Sequence, residues 1–209
     1  MKIKSPKEVF DQYAEIYQDR FMDLSLYHND LDLFCQGIEN KNASILDVAC
    51  GPGNISQYIL TKRPDLKLIG IDLAPRMLEL AKINNPRATF QLWDCRNIKQ
   101  LKTKFDAIIC SFGLPYLNKT EALQFIQDAA ACLSENGVLY LSTMEDDYNK
   151  SGPKTASDGK SATLQYYHEA DYLSEALSLS GFKQIDLNRI SYLGRDAETI
   201  TDLILISKK

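Results

Sequence analysis

The sequence predicts an α/β fold: a doubly wound, mostly parallel sheet whose last two strands turn back on each other as an antiparallel hairpin. Three observations predict it. Apolar runs of strand length alternate with helical text between Ser44 and Thr143. Three successive strand-like runs end on acids, Asp47, Asp72 and Asp94, at the carboxyl edge where open α/β sheets bind ligands. Near the C-terminus two strand-like runs, 183–193 and 199–207, follow one another with only Gly194-Arg195-Asp196 at the join. Strands joined that closely pair antiparallel.

The elements follow in order. Pro6 to Phe21 reads as one helix, because Val9, Phe10, Tyr13, Ile16, Tyr17 and Phe21 recur at three- and four-residue intervals. A second helix is expected from Tyr27 to Ile38. The stretch Ile45 to Asn54, ILDVACGPGN, is a buried strand running through Asp47 into a turn with Gly51 and Gly53. Helical text resumes at Ile55 and stops before Arg63-Pro64. A strand that breaks into glycines and re-enters as a helix offers bare backbone N–H groups to a ligand. Lys67 to Asp72, KLIGID, is the next strand, and its terminal acid can accept hydrogen bonds from both hydroxyls of a ribose. Pro75 suits the first position of the helix that follows, with Met77, Leu78, Leu80 and Ala81 on its buried side. Thr89 to Trp93 and Phe105 to Cys110 are further strands, the second ending on Ser111. A helix over 121–133, a turn at Glu135-Asn136-Gly137 and a strand over 137–143 complete the alternation. The helix 170–180 is closed by Gly181.

The stretch 145–165 has neither period. It leaves the carboxyl end of the fifth strand, which favours a mobile flap over a substrate pocket against a plain surface loop.

At 209 residues, 44% hydrophobic and 25% charged, the chain suits a single globular domain over 1–209. Its formal charge of −4 and the lack of a long Lys/Arg run weigh against nucleic acid as a partner. The five cysteines show no CxxC spacing and read as reduced thiols of a cytoplasmic protein. His28 and His168 stand apart from any cysteine pair, so no metal is expected. Neither a signal-peptide core nor an apolar run of transmembrane length is present, and no membrane association is expected.

The chain resembles the class I S-adenosylmethionine-dependent methyltransferases over nearly its full length. The family's acid-plus-glycines motif matches Asp47-Val48-Ala49-Cys50-Gly51-Pro52-Gly53, with Ala49 replacing the usual first glycine. Its ribose acid matches Asp72 and its adenine-contacting acid matches Asp94. The resemblance implies a Rossmann-like, seven-stranded sheet ending in a hairpin. S-adenosyl-L-methionine is then the cofactor and S-adenosyl-L-homocysteine the product. It makes residues 1–40 a helical lid and places Asp47, Ala49, Cys50, Gly51, Gly53, Asp72, Leu73, Met77, Asp94, Cys95 and Ser111 around the cofactor. Tyr13 and Tyr17 become lid residues near the sulfonium, which electron-rich rings favour. Trp93 belongs beside the adenine or in the adjoining core.

Methyl transfer is an in-line displacement that needs positioning, water exclusion and, for some nucleophiles, a base. Candidate pocket residues for a small-molecule acceptor are Tyr116, Glu145, Tyr166 and Tyr167. His168 is the candidate general base, set against the plainer reading that it sits beside the start of a helix. Two rival functions stay open: an NAD-dependent oxidoreductase, since Gly51 to Ser56 is one glycine short of GxGxxG, and a degenerate cofactor-binding domain acting through a partner. Oligomeric state and the identity of the acceptor are not legible.

Overall fold

Residues 2–155, 161–194 and 198–209 are described by the structure, a computed structural model. The chain opens with strand β1 (Lys2–Ile3) and helices α1 (Pro6–Gln12) and α2 (Ala14–Phe21). A reciprocal capping box starts α1: Ser5 Oγ accepts from Glu8 N–H, the Glu8 carboxylate accepts from Ser5 N–H, and Pro6 fills the first turn. The single helix expected over 6–21 is thus two, kinked at Tyr13, whose φ of −117° and ψ of 25° leave the helical region.

Helix α3 (His28–Gly37) leads to β2 (Ser44–Val48), α4 (Asn54–Lys62), β3 (Lys67–Asp72), α5 (Pro75–Asn84), β4 (Thr89–Leu92) and β5 (Phe105–Ser111). Helix α6 (Lys119–Cys132) precedes β6 (Leu133–Met144); in place of the turn expected at 135–137 the strand runs on through Asn136, at a φ of 62°, where its register with β5 shifts. After β7 (Gly152–Thr155) and β8 (Ser161–Gln165) come α7 (Ala170–Leu179), β9 (Lys183–Leu193) and β10 (Thr199–Lys208).

The main sheet has seven strands in the order β4-β3-β2-β5-β6-β10-β9. Neighbours from β4 through β6 run parallel; β10 lies antiparallel to both β6 and β9. This is the expected doubly wound sheet with its closing hairpin, although Arg195 and Asp196 of the expected turn lie outside the described residues.

Both faces of the sheet are buried, and the alternation of side chains sorts them. Leu46, Ile108, Leu139 and Leu203 join the cluster that contains Phe125 and Leu173 of α6 and α7. Ile45, Ala107, Tyr140 and Ile204 join the opposite cluster with Phe34 of α3 and Ile59 of α4. Strands covered on both faces read as unbroken apolar runs, which is why these were visible as strands without a polar alternation. Helix α3, within the stretch 1–40 expected as a lid, is part of this core, with Leu31 and Phe34 fully buried.

The stretch without a period also departs from expectation. Its β7 and β8 pair antiparallel, and β8 pairs in parallel with β1 to form a second, three-stranded sheet. Lys4 N–H extends that pairing by donating to Ala162 O at 2.8 Å. The pairing partner lies some 160 residues upstream, so no local pattern could reveal it. Residues 156–160 of the expected flap lie outside the described residues.

Gly53 caps α4 in the left-handed region, at a φ of 80°. A Cβ there would lie 2.5 Å from Asn85 Nδ2 and 3.2 Å from the Ala81 backbone, and Asn85 Nδ2 donates to Gly53 O at 2.9 Å. Gly53→Ala is therefore expected to destabilise the protein by about 2–3 kcal/mol, from left-handed strain plus the lost contact. A shift in the urea midpoint at constant slope measures it, and an unchanged midpoint would refute the assignment.

Candidate functional site

Strand order reverses between β2 and β5, and the turns leaving these two strands form the centre of the site. Both turns hold non-glycine residues in the left-handed region: Ala49 at a φ of 54° and Phe112 at 55°. Such strain concentrates at ligand sites, where the surrounding structure holds it in place. Here the two turns brace one another, since a Cβ added at Gly113 would meet the Ala49 Cβ at 3.2 Å. Phe112 N–H is held by Ser142, donating to its Oγ at 3.1 Å.

Asp72 fixes the glycine turn. Its Oδ2 accepts from Gly51 N–H at 2.9 Å and its Oδ1 from Ala74 N–H at 2.8 Å. Burial pushes its pKa up, and the N–H donors of Ala74, Gly51 and Leu73 offset part of that rise. Below the turn, Asp47 is buried and accepts from Ser56 Oγ at 2.6 Å, tying the end of β2 to the first turn of α4.

Two cavities open on this centre. The first, about 370 Å³, is walled by Asp72, Leu73, Met77, Trp93, Cys95 and Arg96 and roofed by Phe10 and Tyr17. The second, about 250 Å³, is walled by Tyr27, Cys50, Met144, Gln165, Tyr192 and Asp202. Tyr17, Ala49, Gly51, Ser111, Phe112 and Tyr116 line both. The Phe10 ring meets Tyr17 and Tyr116 edge-on, with centroids 5.5 and 5.1 Å away.

Of the residues named from the sequence, Tyr17, Ala49, Cys50, Gly51, Asp72, Leu73, Met77, Cys95, Ser111 and Tyr116 line one or both cavities. Several other expected residues do not. Tyr13 sits at the kink, where its hydroxyl accepts from Gln12 Nε2, and Phe10 takes the place on the roof. Asp47 and Gly53 lie beneath the turn and act on its shape. Asp94 is held by Arg96: its carboxylate accepts from the guanidinium at 2.8–3.1 Å and from Arg96 N–H at 2.9 Å. Partial burial pushes its pKa up, but the Arg96 contacts outweigh that and hold it below the ordinary value. The wall there is built instead by its neighbours Trp93, Cys95 and Arg96. Trp93 does both things open to it, lining the cavity and packing on the core.

The expected acceptor residues after β6 are also displaced. Glu145 is paired with Arg189, at 2.9 Å from Nη2, and accepts from Ala170 N–H, starting α7. Tyr166 stacks on Tyr148 with ring centroids 6.2 Å apart, and Tyr167 lies under the Lys154 ammonium. None of the three lines either cavity.

His168 is fully buried with both ring nitrogens engaged, Nε2 at 2.9 Å from Leu114 O and Nδ1 with the Tyr172 hydroxyl. Burial lowers its pKa. It braces the turn that carries Pro115 and Tyr116 and lines neither cavity, whereas the sequence makes it the candidate general base. The residues missed by sequence reasoning are Phe10, Arg96, Tyr27, Tyr192 and Asp202. Phe10 shares a helical face with Tyr17, a signal that was present; the last three come from elements far apart in the chain.

The buried Asp47 makes stability depend on pH. Burial, with Asp72 nearby, pushes its carboxyl up to about 7 from 3.8. The native state then holds a proton that the unfolded chain releases near pH 4, so stability falls as pH rises from about 4 to 7 and levels off above. Asp47→Asn keeps an acceptor for Ser56 and removes this dependence. The wild-type stability, measured relative to that variant by urea unfolding, is expected to drop by a few kcal/mol across the window. A flat difference would place the pKa elsewhere.

Comparison with known proteins joins this geometry to a family. A family model described as a methyltransferase domain matches residues 45–137, which hold the glycine turn, Asp72 and the β5 end. Malonyl-(acyl-carrier protein) O-methyltransferase of Acetivibrio thermocellus is 29% identical over 64% of this chain and 44% of its own length. Demethylmenaquinone methyltransferase of Thermotoga maritima is 26% identical over 66% of this chain and 61% of its own. The chain therefore spans less than two thirds of these relatives. Among solved structures, magnesium protoporphyrin IX methyltransferase from Synechocystis aligns with a TM-score of 0.68 at 19% identity, covering 96% of this chain and 90% of that one. The 4+2 cyclase SpnF aligns with a TM-score of 0.72 at 15% identity, covering 100% and 97%. At such identities the structural likeness speaks for the fold, and the segment 45–137 is similar to a methyltransferase domain.

Proposed function

We propose that the chain transfers the methyl group of S-adenosylmethionine to a small molecule held in the second cavity, leaving S-adenosylhomocysteine. The observation that carries this reading is the meeting of two cavities at one wall of Tyr17, Gly51, Ser111, Phe112 and Tyr116. A two-substrate displacement needs such a junction, with donor and acceptor approaching from opposite sides of one point.

The first cavity fits the cofactor. Asp72 spends two of its roughly four lone-pair positions on backbone N–H groups, which leaves the others for a pair of ribose hydroxyls. Leu73, Met77, Trp93 and Cys95 make an apolar slot suited to a flat base. A Cβ at Gly51 would stand 3.8 Å from the Tyr17 ring, so that glycine leaves a cradle between main chain and aromatic roof. When bound, the sulfonium supplies an activated methyl group. The protein positions the acceptor, excludes water with Phe10, Tyr17 and Tyr116, and faces the positive charge with electron-rich rings.

The size of the second cavity supports a small acceptor, and the acidic balance of the chain supports a partner other than nucleic acid. Five free thiols support a reducing, cytoplasmic setting. We place the first two helices as a roof over the cofactor and the β7–β8 hairpin as a wall tied to it through β1.

Calorimetric titration with S-adenosylmethionine, S-adenosylhomocysteine and NAD tests the reading. Micromolar binding of the first two is expected, none of NAD, and a loss of at least tenfold in Asp72→Ala, as for removal of a charged hydrogen-bond partner. Binding of NAD alone would overturn the proposal in favour of an oxidoreductase.

A further inference from the structure

The second cavity contains an unfinished charge. Asp202, in the middle of β10 and fully buried, lines it. Its Oδ2 accepts a 2.6 Å hydrogen bond from the Tyr27 hydroxyl, while its Oδ1 has no hydrogen-bond partner among the described residues. Burial pushes its pKa up, and the Tyr27 and Tyr192 phenols offset part of the rise. A buried carboxylate oxygen left unsatisfied is costly, and it persists where a ligand completes it.

The surroundings narrow the ligand. Asp23 adds a second carboxylate at the exposed edge of the cavity, where the Ser25 N–H donates to it and holds its pKa below the ordinary value. Tyr27, Phe112, Tyr116 and Tyr192 supply aromatic faces. Among the described residues lining the cavity there is no Lys, Arg or His. Two carboxylates and a ring-lined wall without a cation repel an anionic acceptor. A neutral hydroxyl would satisfy the Oδ1 lone pair but leave the buried charge uncompensated. A cation bearing N–H groups meets both needs and gains cation–π contact as well.

We propose that the acceptor is a protonated amine, apolar or aromatic beyond its nitrogen, whose N–H donates to Oδ1 of Asp202. This rests on the methyltransferase reading above. Proton transfer from N–H to Oδ1 frees the nitrogen lone pair to form the N–C bond as the S–C bond breaks. The sulfur keeps that bonding pair, and the positive charge passes from sulfur to nitrogen.

Three probes of one size and three charges test it: benzylamine, benzyl alcohol and benzoate, titrated into the full chain saturated with S-adenosylhomocysteine. Benzylamine is expected to bind at least tenfold more tightly than benzyl alcohol, and benzoate more weakly than either. In Asp202→Asn the preference for amine over alcohol should fall below threefold while affinity for S-adenosylhomocysteine stays within twofold. Equal or tighter binding of the alcohol or the benzoate, no binding of any probe, or an amine preference that survives in Asp202→Asn would overturn the proposal. The order among the probes in the wild type decides the matter even where the variant does not fold. Failure of the wild type to bind S-adenosylhomocysteine is a separate result, and it would overturn the cofactor reading instead.

Discussion

The carboxylate of Asp72 is the constraint on which the site depends. It stands at the end of one strand and grips the N–H groups of two turns, Gly51 after β2 and Ala74 before α5. Without it, the glycine turn would have no fixed height above the sheet, and the first cavity would lose its floor. The same side chain lines the first cavity, so one residue both fixes the turn and forms part of the wall. The strain at Ala49 and Phe112 is tolerable for a related reason: each sits where neighbouring backbone leaves the chain little alternative.

Much of the fold was legible because its determinants are local. Unbroken apolar runs marked the buried strands, acids marked their carboxyl ends, and two strands in succession marked the hairpin. The wall of the first cavity was legible for the same reason, since Asp72 ends β3, Leu73 and Met77 follow it, and Cys95 comes shortly after β4. The kink at Tyr13 was not. No proline or glycine announces it, and it follows from α1 and α2 each gripping α5, through Asp11 to Arg76 N–H and Glu15 to the Arg76 guanidinium.

The acceptor side was largely hidden, and the reasons are physical. A titratable residue near a strand end is conspicuous in sequence, but His168 and Glu145 spend their polar atoms on Leu114, Tyr172, Ala170 and Arg189. The residue left with capacity, Asp202, lies inside a run of apolar strand text. Its Oδ2 is taken by Tyr27 from 175 positions away, and its Oδ1 has no partner among the described residues. Sequence spacing has no access to which polar atoms remain unspent after folding.

The placement of β10 bears on how the protein comes into being. It pairs with β6 on one side and β9 on the other, though both of those strands leave the ribosome before it. Until β10 has been made, β6 carries an open edge and β9 has no sheet to join. Closure by so late a strand, across long sequence separations, is the slow kind of β assembly and leaves an adhesive edge exposed to neighbours meanwhile. Vectorial synthesis therefore completes the strands behind the first cavity before β10. The second cavity, with Asp202 in its wall, is finished only once β10 is in place.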